Sequence, residues 1–254
     1  MVSFNDWSDE AKANVNGHML CLVTLRNGHD AVAQEKAVET LPDHYAAPEQ
    51  VAYVFERLGK EAAAKYLRQK LPTKPSLRSG DLGEIFAMEY IEERTNFSAP
   101  VRRLRWRDHR EMAMRGDDAI GLLPGVEERP INFLKVEAKS EAALTTRTVT
   151  NARGALDNDG GLPSQHALAF IADRLREMGE EALSGDILKA QLVDGIAAAQ
   201  VQHLLFTFSG NDPSNFLRAD LNGCGYAIPQ SCVGLRIANH QDFIRKVFAE
   251  VFGE

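Results

Sequence analysis

The segment INFLKVEAK, residues 131–139, constrains the fold of this chain more than any other. Its charges fall at every second position. Successive side chains on a strand alternate between faces. Phe133, Lys135, Glu137 and Lys139 therefore point one way, and Leu134, Val136 and Ala138 the other, into a core. A carboxylate and an ammonium then stand side by side on a rigid strand, an arrangement suited to holding a divalent cation beside a charged helper. Taken alone, such a pair is also an ordinary surface ion pair, so its neighbours have to be read with it.

Those neighbours describe a sheet between helices. DDAIGLL (117–123) reads as a second strand, joined to the first through PGVEERP, a turn segment with proline at both ends. A helix is expected over 81–94 and an edge strand over VRRLRWR (101–107). Helices follow at about 141–156, 164–180 and 185–200, then a strand at 201–208, an extended stretch at 224–238 and a last helix at 240–252. Before them lie a buried strand at 18–25 and a helix at 48–70. LPTKPSLRSG (71–80), with two prolines, two serines and a glycine, is a break. The reading is an α/β fold, a mixed central sheet flanked by helices. A mainly helical N-terminal lobe takes residues 1–75, and a core with a C-terminal extension takes 76–254.

Composition narrows the function. With 254 residues, 44% hydrophobic and 26% charged, the chain can bury an ordinary core without covalent staples. Cys21, Cys224 and Cys232 are odd in number and form no CxxC pair. This argues against a zinc site or disulfide framework and for a reducing, cytoplasmic setting. No signal peptide is read, and the apolar run 18–25 is too short for a bilayer. There is no Walker motif, no GxSxG and no HExxH. The net charge of −7 is unusual for a chain that holds DNA unaided. Nucleic-acid binding here requires a local patch or a partner.

Two further acids extend the Glu137–Lys139 pair. Asp118, in RGDDAIG, opens an apolar strand that a turn can lay beside Glu137. Two adjacent carboxylates raise each other's pKa, and a bound cation relieves them. Asp117 competes with Asp118 for this role; Asp118 is preferred because the apolar run starts directly after it. Glu84, in GDLGEIFAMEYIEE, falls at helical spacing among Ala87, Met88 and Ile91, opposite Glu89, Glu92 and Glu93. It also fits a capping box with Asp81 as N-cap.

An acid on a helix, an Asp at the head of a strand and ExK on the next strand resemble the PD-(D/E)xK, restriction-endonuclease-like nuclease superfamily over roughly residues 79–180. The finer pattern GDLGEIFA, RGDDAIG and VEAKSEAAL resembles the DUF1837 family, which supplies the effector of the two-component Hachiman antiphage system. The position before the strand Asp is Asp117, where the superfamily pattern has proline. The resemblance implies a DNA nuclease whose catalytic residues are Glu84, Asp118, Glu137 and Lys139. Asp118, Glu137, the Ala138 carbonyl and Glu84 would hold Mg²⁺, with Mn²⁺ as a substitute. It also implies a HamB-like helicase partner that restrains and releases the activity. Arg102, Arg103, Arg105, Arg107 and Arg115, interleaved with Trp106 and His109, form the densest basic cluster of an acidic chain and are read as a DNA-phosphate grip. Alternatives are a stand-alone restriction or repair endonuclease and a non-catalytic helicase-binding adaptor.

Overall fold

One mixed sheet organises the molecule. In this computed structural model, residues 1–114, 116–126 and 129–253 are described. The strands in chain order are β1 (Ser8–Val15), β2 (His18–Leu25), β3 (Ala119–Leu123), β4 (Asn132–Glu141), β5 (Val201–Ser209) and β6 (Gln230–Arg236). They lie in the order β1-β2-β6-β5-β4-β3. The β2–β6, β6–β5 and β5–β4 pairs are parallel, whereas β1 and β3 join the two ends antiparallel. Parallel strands are covered on both faces and so carry near-continuous apolar runs. HMLCLVTL and VQHLLFTF are such runs.

The helices are α1 (Phe4–Trp7), α2 (Asp30–Tyr45), α3 (Pro48–Leu58), α4 (Lys60–Lys70), α5 (Pro75–Arg94), α6 (Thr146–Asp157), α7 (Gln165–Glu177), α8 (Glu181–Lys189), α9 (Ser214–Gly223) and α10 (His240–Phe252). On one face α1, α2, α5 and α10 close over an aromatic core that includes Trp7, Phe86, Phe206 and Phe248. On the other, α7 and α8 cover the β3–β4 end, while α6 and α9 cover β2, β5 and β6. No helix among the described residues is long and apolar enough to cross a membrane.

Several expectations change. Residues 8–25 form two strands of the common sheet, and Val2, Phe4 and Trp7 share one hydrophobic cluster with Phe206 and Phe248. The helices α2 to α4 supply the helical part of residues 1–75, and α2 packs into the same cluster through Ala33, Ala37, Leu41 and Tyr45. The helix at 48–70 is two helices, broken at Gly59, whose φ of +85° a helix cannot carry. The expected break at 71–80 ends early, because Pro75 opens α5 as its first residue. The expected edge strand at 101–107 is a 3₁₀ turn, Arg103–Trp106, and β3 is the sheet edge instead. A helix, α9, precedes the extended stretch, which pairs only from Gln230.

Candidate active site

Three elements meet at the β3–β4 end of the sheet. The antiparallel register pairs Ala119 with Val136, and one step further sets Asp118 against Glu137. The Ala138 amide donates to Asp118 Oδ2 at 2.9 Å, which locks the two chain segments together. Glu137 is buried, and its carboxylate is paired with the Lys139 ammonium. Helix α5 crosses the same region closely: a Cβ on Gly83 would lie 2.8 Å from Ser140 Cβ. Ser79 and Ser140 share a hydrogen bond of 2.9 Å beside that contact. The close approach places the next residue, Glu84, against the sheet.

Glu84 is not a capping residue. The early start of α5 puts it and Asp81 in the buried interior of the helix. The Arg103 guanidinium grips Glu84 with a fork: Nε donates to Oε1 at 2.6 Å and Nη2 to Oε2 at 2.9 Å. The same Nη2 donates to Asp118 Oδ1 at 3.0 Å, and Nη1 to the Asp117 carbonyl at 2.7 Å. Arg103 is thus the hub of the acid cluster. Its planar fork suits two carboxylates at once. Sequence reading placed it on a DNA-facing strand and missed this role. The signal was present: Asp81, Glu84 and Glu89 on one apolar helix need buried cations, and residues 102–107 are the dense source of them.

Asp117 and Asp118 part company. Asp117 Oδ2 accepts from the Ser164 amide at 2.8 Å, and its Oδ1 lies 3.7 Å from Lys135 Nζ. Lys135 is fully buried and donates to the carbonyls of Asn158 and Leu162 at 2.8 and 2.9 Å. The charged face of β4 is therefore covered. Lys135 fastens the segment leading into α7, while Glu137 and Lys139 stay at the more open end of the strand. The structure brings Glu84, Asp118, Glu137 and Lys139 together around Arg103, with Asp117 beside them but turned to another partner.

Of the other arginines of the expected grip, Arg102 and Arg107 are drawn inward. Arg102 donates to Glu89 at 3.3 Å and to His44 at 3.4 Å. Arg107 pairs with buried Asp81, which also accepts from the Tyr45 hydroxyl at 2.5 Å. Arg105 donates to the Asp43 carbonyl at 2.8 Å. Glu89 sits well below the usual carboxylate range: burial raises it, but hydrogen bonding to His44 and the charge of Arg102 outweigh burial. Arg115 lies outside the described residues. An arginine bonded to a buried acid has little freedom to leave it for a phosphate.

The electrostatics leave the site short of positive charge. Three carboxylates face two cations, Arg103 and Lys139. Burial, and then the negative charge of Asp118, push the Glu137 carboxyl up to about 7. Burial raises Glu84 as well, against the pull of Arg103. Carboxylate oxygens are the donors a hard divalent cation prefers, but both Asp118 oxygens already accept hydrogen bonds, from Arg103 and the Ala138 amide, and the Glu137 carboxylate is paired with Lys139. Both Glu84 oxygens are taken by Arg103, and among the described residues no three acid, His or Cys side chains are already grouped as a ligand set.

The fold and site define an α/β protein with a carboxylate–lysine cluster at the sheet edge. The HamA family model matches residues 1–251, so the chain belongs to the HamA family. It is similar to the Hachiman protein HamA of Bacillus cereus, 28% identical over 156 residues. That match covers 61% of this chain and 55% of the relative, so the chain spans little more than half of the curated protein it matches.

Proposed function

We propose that this chain is a metal-dependent deoxyribonuclease that hydrolyses phosphodiester bonds with little sequence preference. The observation that carries the reading is Asp118 set against Glu137 across the β3–β4 pair, with Lys139 beside them on the same strand. Asp118, Glu137 and the Ala138 carbonyl would hold Mg²⁺, or Mn²⁺ in its place. When bound, the cation supplies a water of lowered pKa and charge to steady the phosphate. Lys139 keeps its proton: burial works against the ammonium, but the Glu137 carboxylate raises its pKa. Its part is therefore to donate a hydrogen bond to the water or to neutralise charge developing on the phosphate, not to remove a proton. Arg103 orients Asp118 and Glu84 by holding one oxygen of the first and both of the second.

The kinship with a Hachiman protein supports a role in that defence system, and the family resemblance implies a helicase subunit as its partner. The net charge of −7 and the inward arginines support a chain to which DNA is delivered by that partner. Plasmid degradation with Mg²⁺ or EDTA, with and without the cognate helicase, tests the reading. Glu137→Ala and Lys139→Ala should each lower cutting about 10²- to 10³-fold and keep the circular dichroism of the parent. Undiminished Mg²⁺-dependent cutting by either variant rejects the assignment. A second reading, a helicase-binding adaptor, draws on Arg103 standing among the acids. It is the outcome if the chain binds helicase and cuts nothing under any of these conditions.

A further inference from the structure

An open cavity of about 490 Å³ adjoins the candidate site. Arg103, Asp117 and Asp118 line it, so Asp118 belongs to both the cavity and the acid cluster. Its walls mix polar and apolar groups, and one apolar part is built by Trp106 from the 3₁₀ turn, Met112 and Met114 from the loop that follows, Ile120 of β3, and Phe170 of α7. Asp108 and His166 stand exposed at its rim. Trp106 and Phe170 meet edge to face, with centroids 6.1 Å apart and planes at 86°. The Arg174 guanidinium lies 5.7 and 5.6 Å from the two ring centroids, which steadies the aromatic wall.

A flat aromatic surface with apolar and hydrogen-bonding groups around it is the means by which proteins hold an unstacked nucleobase. A base inside a duplex shows only its edge in a groove and cannot present its face to Trp106. The engaged arginines point the same way. With Arg102, Arg103 and Arg107 bonded to buried acids, these three have little freedom to grip phosphate, and an aromatic wall is a source of affinity that does not need them. We propose that this cavity receives one unpaired nucleobase of the strand whose phosphate lies at Asp118 and Glu137, which makes single-stranded DNA and unpaired ends the preferred substrate. This rests on the nuclease reading above and assigns its substrate class.

The two tryptophans make the test direct. Trp7 is fully buried in the core, whereas Trp106 is half-buried at the cavity. A Glu137→Gln chain is titrated with a short single-stranded oligodeoxynucleotide and with the same sequence as duplex, reading tryptophan emission and the anisotropy of a labelled strand. The single strand should quench emission and the duplex should not, and Trp106→Phe should remove the quenched component. Trp106→Ala should weaken single-strand binding about tenfold or more, the usual worth of one base stacked on an aromatic ring. Ala113→Trp, at an exposed cavity position, fills the space without removing any buried group and should weaken it similarly, so the test does not depend on Trp106→Ala folding. Equal binding of both DNA forms with unchanged emission overturns the inference. So does cutting of single strands at the parental rate by both Trp106→Ala and Ala113→Trp in the otherwise native chain, a result that leaves the nuclease reading standing. Failure of the native chain to cut any DNA form with Mg²⁺, both with and without the helicase, removes the nuclease reading instead, while the quench still reports on the cavity.

Discussion

Arg103 does at residue scale what the sequence pattern attributes to a metal alone: it gathers Glu84 and Asp118 around one positive charge. Removing one partner of a buried ion pair strands the other, at a cost of about 3–5 kcal/mol. Arg103→Met should lower stability in urea unfolding by about that amount. Adding Glu84→Gln, which removes the stranded charge, should recover a large part of the loss. Glu137 gives a pH signature in EDTA. Its folded pKa, about 7, lies above its unfolded one, so the native state holds the proton more tightly. Its contribution to stability is fully present below about pH 4 and is lost as pH rises through 7. The melting temperature of the metal-free chain should therefore fall across this window, by a free energy on the order of 3 kcal/mol. Glu137→Gln should flatten the slope; an equal slope in both chains rejects the cause given.

At element scale, α5 is the part that brings the site together. Gly83 permits its close crossing of β4, since a methyl group there meets Ser140 at 2.8 Å. Gly83→Ala should cost about 1–3 kcal/mol through overpacking and depress cutting by shifting Glu84. Gly80, three residues earlier in the same helix, faces open space. Gly80→Ala should stabilise the chain by about 0.4–1 kcal/mol, because it restricts only the unfolded state. Comparing the two by thermal denaturation separates helix propensity from packing. The strands β2, β4 and β5 were legible because apolar period and length mark them, and α6 and α7 begin where Thr145 and Ser164 accept from the amides three residues on. The segment 101–107 reads from sequence as an edge strand with a DNA-phosphate grip because nothing local shows what its arginines meet. Their partners, Glu84, Glu89 and Asp81, lie on a helix 13 to 26 residues away in sequence.

At the scale of the whole molecule, the N-terminal strands belong to the sheet that holds the site. Deleting residues 1–25 would strip β2 from β6 and take Trp7 out of the shared core. Such a chain should show no cooperative unfolding, whereas an independent lobe would leave the rest folded. The net charge of −7 acts at this scale too, and the isolated chain should bind duplex DNA weakly at physiological salt, where affinity follows the phosphates neutralised. Tight duplex binding by the purified chain alone contradicts delivery by a partner. The sequence by itself determined the α/β layout and nominated the acid–lysine pair, because side-chain alternation and apolar period are local properties of the chain. Tertiary structure alone decided that Asp118 turns to Arg103 and the Ala138 amide while Asp117 turns to Ser164, that Lys135 is buried, and that Arg102, Arg103 and Arg107 point inward. Each of these depends on which charges share a space closed to water, and that pairing is set only when distant segments pack.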